Sequence, residues 1–139
     1  MISVELAATL KAAGLVWHPL TGDRFTLLTG AFDGEVFTLS DMVVEAHESR
    51  AGTVLGFNGT TEWALDATEA SEALWLPRED QLRGLLGTSF RALERVDHGY
   101  RVVSVLPGSE PADTMAYWGD EPAEAYARAL LALIRRATA

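Results

Sequence analysis

The sequence predicts an α+β protein: one domain over residues 1–139, with antiparallel sheet of about eight strands in two groups, packed against three helices. Three observations lead there. Apolar residues at helical spacing are confined to three segments, each with its own start and stop signals. The segments between them are short, alternate in polarity and are separated by tight-turn residues. The order is α-β5-α-β3-α, with hairpin links in place of βαβ crossovers, which argues for antiparallel pairing.

Taken in order, Ser3 is an N-cap for the first helix and Glu5 suits its first turn. Leu6, Leu10 and Ala13 share a face, and Gly14 stops the helix. Thr21-Gly22-Asp23 is a turn cluster. Strands are expected at Arg24 to Leu28, Glu35 to Leu39, Met42 to Glu48 and Thr53 to Phe57, with Arg50-Ala51-Gly52 as a turn. Asn58-Gly59 has the chemistry of a type I′ hairpin turn, which needs positive φ at both central residues. Thr60 to Thr68 then reads as the returning strand, or alternatively as a short helix capped by Thr60.

Pro77 at a first helical position, followed by Arg78-Glu79-Asp80, opens the second helix. Leu82, Leu85 and Leu86 should face the core and Gly87 should cap it. Phe90 to Val96 and Tyr100 to Leu106 form a strand pair about Asp97-His98-Gly99, and Thr114 to Trp118 is a last strand. Asp120, Glu121 and Pro122 start the final helix, striped by Tyr126, Ala127, Leu130, Leu131 and Ile134 and ending at Arg135-Arg136. Core residues are expected at Phe37, Leu39, Trp63, Leu65, Leu82, Leu86, Val103, Leu130 and Ile134.

Charge narrows the function classes. Twenty acidic residues face eleven basic ones, for a net charge of −9. Nucleic-acid binding needs a cationic footprint that releases phosphate counterions, and anionic membranes ask for the same, so neither partner is expected. Met1-Ile2-Ser3-Val4-Glu5-Leu6 has no basic n-region, and no run approaches the roughly 18 apolar residues of a membrane span. A cytoplasmic protein, monomer or homodimer, is the expectation. With no cysteine, disulfides, thiolate metal sites and cysteine nucleophiles are excluded.

Motifs for chemistry are sparse. The sole lysine, Lys11, lies in TLKAAG and not behind a phosphate-binding loop; G-x-S-x-G, H-E-x-x-H and EF-hand patterns are missing. Glu45 and His47 share a strand face and are weak candidates for metal ligands, with no third ligand to join them. His98 beside Asp97 reads as a turn residue. Glu62 and Asp66, with Glu69 and Glu72 following, supply paired carboxylates, but such pairs arise readily in a chain this acidic. No cofactor and no catalytic metal are expected. Trp17, Trp63, Trp75 and Trp118 all lie at turns or element ends, where tryptophan either fills a core or anchors a ligand or interface. The favoured functional surface comprises Trp63, Trp75 and Arg78, with Glu62 as polar neighbour; Arg78 at a helix N-terminus is placed to receive an anion, although Glu79 and Asp80 already answer the dipole.

The segments GDRFTLL, EVFTLSDMVVEAH, GFNGTTEWALD and ALWLPREDQLRGLLG resemble a family of small actinobacterial proteins that often carry the label "pilus assembly protein CpaE". The resemblance runs from about Gly22 to Val105. The W-L-P-x-x-x-Q-L piece, with DEPAEAYARALLAL after it, is also similar to small phage and prophage proteins. Neither resemblance carries a catalytic residue; the first implies a pilus or secretion accessory. Three functions are thus in view: a non-catalytic binding or adaptor domain, a small-molecule-binding or hydrolytic domain with a tryptophan-lined acidic pocket, and that accessory.

Overall fold

The computed structural model describes residues 1–28, 34–39, 44–49, 52–57, 73–106, 108 and 113–138, with backbone alone for 44–49 and 52–57. The architecture is α+β with antiparallel sheets. The chain divides into two compact units, one of Met1–Val16 with Pro77–Ala139 and the other of Trp17–Leu76.

The first unit holds the three α-helices of the described residues and one three-stranded meander. Helix α1 spans Val4–Ala13. The Ser3 hydroxyl accepts from the Leu6 N–H at 3.2 Å, and Gly14 leaves the helix at φ 118° with its N–H on the last carbonyls. The Leu15 N–H reaches the Leu10 carbonyl at 3.0 Å, so the helix closes with a six-to-one bond that a left-handed glycine permits. Helix α2 spans Glu79–Leu86 and helix α3 Pro122–Thr138; α1 and α2 both pack on α3.

Strands β6 (Phe90–Val96), β7 (Gly99–Val105) and β8 (Thr114–Gly119) lie in that order. Val96 pairs with Gly99 and Arg95 with Tyr100, so the turn between β6 and β7 is two residues, Asp97-His98. Helix α3 packs over β7 and β8, and the sheet face it covers carries the buried Val102 and Ser104. The expected core residue Val103 sits on the other face and is only half-buried. Two glycines allow the corner to close. A Cβ on Gly99 would stand 2.4 Å from the Gly119 carbonyl, and one on Gly119 would stand 2.6 Å from the Ala125 nitrogen.

Leu82 and Leu86 are buried in α2 as expected, but Leu85 is 44% exposed. The apolar stripe of this short helix is therefore one residue wide per turn, i to i+4. Leu130 is buried and Ile134 half-buried, while Ala125 and Ala129 widen the covered face of α3 where helices approach it.

In the second unit β1 (Arg24–Leu27) is flanked by β2 (Val36–Thr38) and β5 (Ala73–Trp75), both antiparallel to it. Strand β5 was not expected from the sequence. Phe37, Phe25 and Trp75 face one another across the three strands, so their side chains share a face. Phe25 stacks on Phe37 at 5.3 Å and meets Trp17 at 5.4 Å between ring centroids. Leu27, Leu39 and Ala73 complete this cluster. Strands β3 (Val44–Ser49) and β4 (Gly52–Phe57) form a separate hairpin with Ser49 opposite Gly52. The expected Asn58-Gly59 turn and the Thr60 to Thr68 segment, with Trp63 and Leu65, lie outside the described residues.

Candidate functional site

Of the residues the sequence singled out, Glu62 and Trp63 lie outside the described residues. Glu45 and His47 fall on β3, opposite Gly56 and Val54 of β4, and being two apart they share a strand face; their side chains are outside the description. Among the described residues no group of three or more His, Asp or Glu is gathered to hold a metal ion.

Arg78 belongs to the first unit and is spoken for. Its Nε donates to Asp80 Oδ1 at 3.0 Å and its second terminal nitrogen reaches Oδ2 at 3.4 Å. That bond from Arg78 is the main reason the Asp80 carboxyl is held below its ordinary value. The Gln81 side chain turns back to accept from the Arg78 backbone N–H at 3.0 Å, one half of a capping box. Gln81 thus satisfies the Arg78 backbone N–H and Asp80 engages its guanidinium, which weakens the expectation that Arg78 receives an anion.

Trp75 belongs to the second unit, at the end of β5. It is half-buried, and its indole nitrogen is buried with no hydrogen-bond partner among the described residues. Trp17, by contrast, is fixed: its Nε1 donates to Asp23 Oδ2 at 2.9 Å, and the Leu20 backbone N–H donates to the same oxygen at 3.0 Å. Asp23 is a buried carboxylate used to hold a loop, which is a structural task.

Trp118 is the departure from a core reading of the tryptophans. It is 53% exposed. It lies on the face of the β6–β7–β8 sheet that no helix covers among the described residues, its helix-free face, directly opposite Arg101, which in turn faces Glu94. Arg101 and Glu94 make a bidentate pair at 3.2 and 3.1 Å. The next row on the same face is Ala92, Val103 and Ala116, all small and half-buried. The face therefore offers one large exposed ring, an ion pair held flat beside it, and a shallow tract of small apolar residues. The sequence contained a signal for this: a two-residue turn at Asp97-His98 forces Glu94 opposite Arg101. Reading the turn as three residues hides it.

On the helix-covered face, burial pushes the Tyr117 and Tyr126 hydroxyls up. The Tyr126 ring meets Phe90 at 5.6 Å, and the Arg83 guanidinium covers Phe90 at 4.6 Å. These contacts tie α2 and α3 to β6 and are packing. Among the described residues no helix is long and apolar enough to cross a membrane. No protein-family model, no curated protein and no solved structure matches the chain.

Proposed function

We propose that the protein is a non-catalytic binding or adaptor domain whose contact surface is the helix-free face of the β6–β7–β8 sheet. The observation that carries this reading is Trp118, exposed beside the Glu94–Arg101 pair. An exposed indole forfeits the burial that a tryptophan usually finds, and interfaces are enriched in tryptophan and arginine at their energetic centres. The half-buried small residues Ala92, Val103 and Ala116 leave room for a partner's side chains beside the ring. The test is to isolate the binding partner with the wild-type chain, purify it, and compare its affinity for wild type and Trp118→Ala. A loss of about 30-fold, the size of an interface anchor, is expected. Equal affinity for the two would remove Trp118 from the contact.

A second reading is a small-molecule-binding or hydrolytic domain in which Trp75 contributes to the ligand site. What favours it is the Trp75 indole N–H, buried without an acceptor among the described residues. Such donors are rare in finished cores, and a ligand acceptor is one way to satisfy one. Trp75→Phe keeps a ring and removes the donor. In the ligand-free protein its melting temperature should equal or slightly exceed that of the wild type. A marked fall would mean that an acceptor within the chain already uses this N–H.

A further inference from the structure

We infer that the chain self-associates through β8, adding the β8 strand of a second copy antiparallel to its own so that two meanders become one six-stranded sheet. The purified chain alone suffices for this; the outside partner proposed above is not needed.

The two edges of the meander differ in how they are protected. Strand β6 carries Arg91, Glu94 and Arg95 and has a register shift between Phe90 and Ala92. Charges and bulges are the usual means by which an edge is kept from pairing. Strand β8 reads TMAYWG: six residues, no charge, no proline and an unbroken register with β7. Met115 and Trp118, on opposite faces of it, are 47% and 53% exposed. Among the described residues no strand pairs with its outer side. In a chain of net charge −9, this is a strand where two copies meet without like charges in the seam.

Symmetry restricts the register, and the proposed one takes the middle of the strand. A two-fold axis perpendicular to the sheet keeps the helix-free faces on one side only if residues of that face meet one another. Centred on Ala116, the pairing sets Ala116 opposite itself and Thr114 opposite Trp118 of the second copy. Each Trp118 ring then lies over the seam.

The helices fit this arrangement. Helix α3 packs over both β7 and β8, and its axis is taken as midway between them. Strands are spaced about 4.8 Å apart, so the two-fold brings the two α3 axes to about two spacings, roughly 9.6 Å. That is within the roughly 8–10 Å of packed helices. The flank of α3 turned toward β8 is known from two contacts. Arg128 donates to the Trp118 carbonyl, and the Glu124 Cβ lies against Gly119. Glu124, Arg128 and Arg135 share that flank at helical spacing. Glu124 Oε2 is buried with no hydrogen-bond partner among the described residues. A strand advances about 3.3 Å per residue and a helix about 1.5 Å, so an axis at Ala116 brings Glu124 within one helical turn of Arg135 of the second copy. The unpaired carboxylate thereby gains a cation, and by symmetry it does so twice.

A strand pair with one helix contact buries less than the roughly 1,600 Å² of a standard interface, so the dimer should depend on concentration. Sedimentation velocity on the full chain should show a mass rising from 15.0 kDa toward twice that value between micromolar and millimolar concentration. The chain has no cysteine, so a single introduced thiol gives a clean report of the register. Ala116→Cys should form a disulfide-linked dimer on mild oxidation, and Thr88→Cys, exposed between α2 and β6, should not. Glu124→Arg should weaken the dimer about tenfold. Adding Arg135→Glu to it should restore the affinity. A chain that stays at 15.0 kDa throughout overturns the proposal, and so does a dimer in which Ala116→Cys cross-links no better than Thr88→Cys. A dimer indifferent to the Glu124 and Arg135 exchange overturns the helix contact.

Discussion

The β6 and β8 edges belong to one meander and reach opposite states. Strand β6 is charged, bulged and tied down by Arg83 over Phe90 and by Phe90 against Tyr126. Strand β8 is uncharged and regular; α3 lies over one of its faces, and Arg128 of α3 donates to the Trp118 carbonyl. A sheet of three strands always has two edges, and a protein can close one by side-chain chemistry and leave the other open for use. The difference says that the edges are not equivalent remnants of folding. The open one coincides with the most exposed tryptophan of the described set.

The largest effect that can break the comparison is at the end of β8. A Cβ on Gly119 meets the Ala125 nitrogen and Glu124 Cβ at 2.6 Å, and neither the start of α3 nor the strand end can give way freely. Gly119→Val should cost about 3 kcal/mol in denaturant unfolding, through overpacking. If it costs little, the strand is not clamped to α3 and the open edge is simply a loose one.

Next in size is the contrast between the two faces of β7. Val102 is fully buried beneath the helices, and Val102→Ala should cost about 2 kcal/mol. Val103 lies on the half-exposed face, and Val103→Ala should cost below about 1 kcal/mol. Equal losses would mean that the helix-free face is packed as tightly as the covered one, which would leave no surface for a partner. Below these stands the Glu94–Arg101 pair. A double-mutant cycle to alanine should give a coupling of about 0.5 kcal/mol, falling with salt, because both side chains are partly solvated.

What the sequence disclosed and what it hid divide along the same physical line. Helix ends are local chemistry, so Ser3 and Gly14 marked α1, and Pro77 and Gly87 bracketed α2. The strand positions in the first unit follow from alternation and from the turn read at Asp97-His98-Gly99, one residue longer than the two-residue turn that pairs Val96 with Gly99. Facing is another matter. Whether Val102 or Val103 is inside depends on which side α3 lands, and nothing within β7 records that. Leu85 has the same side chain as Leu82, yet 44% of it is exposed because α2 has only one neighbour stripe to bury. Strand β5 is three residues, Ala73–Trp75, and its pairing with Phe25 and Leu27 is a long-range choice that no short window contains. Of the candidate site, Trp118 was visible as a residue but not as an exposed one. Its neighbours Glu94 and Arg101 required the correct turn length. Arg78 was visible as a cation at a helix start, and its engagement with Asp80 follows from the acidic residue two positions on.

That last pair supplies the smallest expected effect and a check on the protected side of the sheet, since α2 is the helix whose Arg83 covers β6. The Asp80 carboxyl is held below its ordinary value of 3.8, first by the hydrogen bond from Arg78, with slight burial pulling the other way. A carboxyl depressed in the folded state adds stability above its unfolded value, and that increment is lost as pH falls through the lower folded value. The window therefore lies below about pH 4. The Asp80 side chain is 72% exposed, so water screens most of the attraction. Asp80→Asn should lower stability by no more than about 0.5 kcal/mol at neutral pH and by nothing near pH 2. The measurement is the difference in unfolding free energy between the two proteins as a function of pH. If that difference persists undiminished into acid, the side chain acts through the geometry of the α2 start and not through its charge. The protected edge would then rest on packing alone.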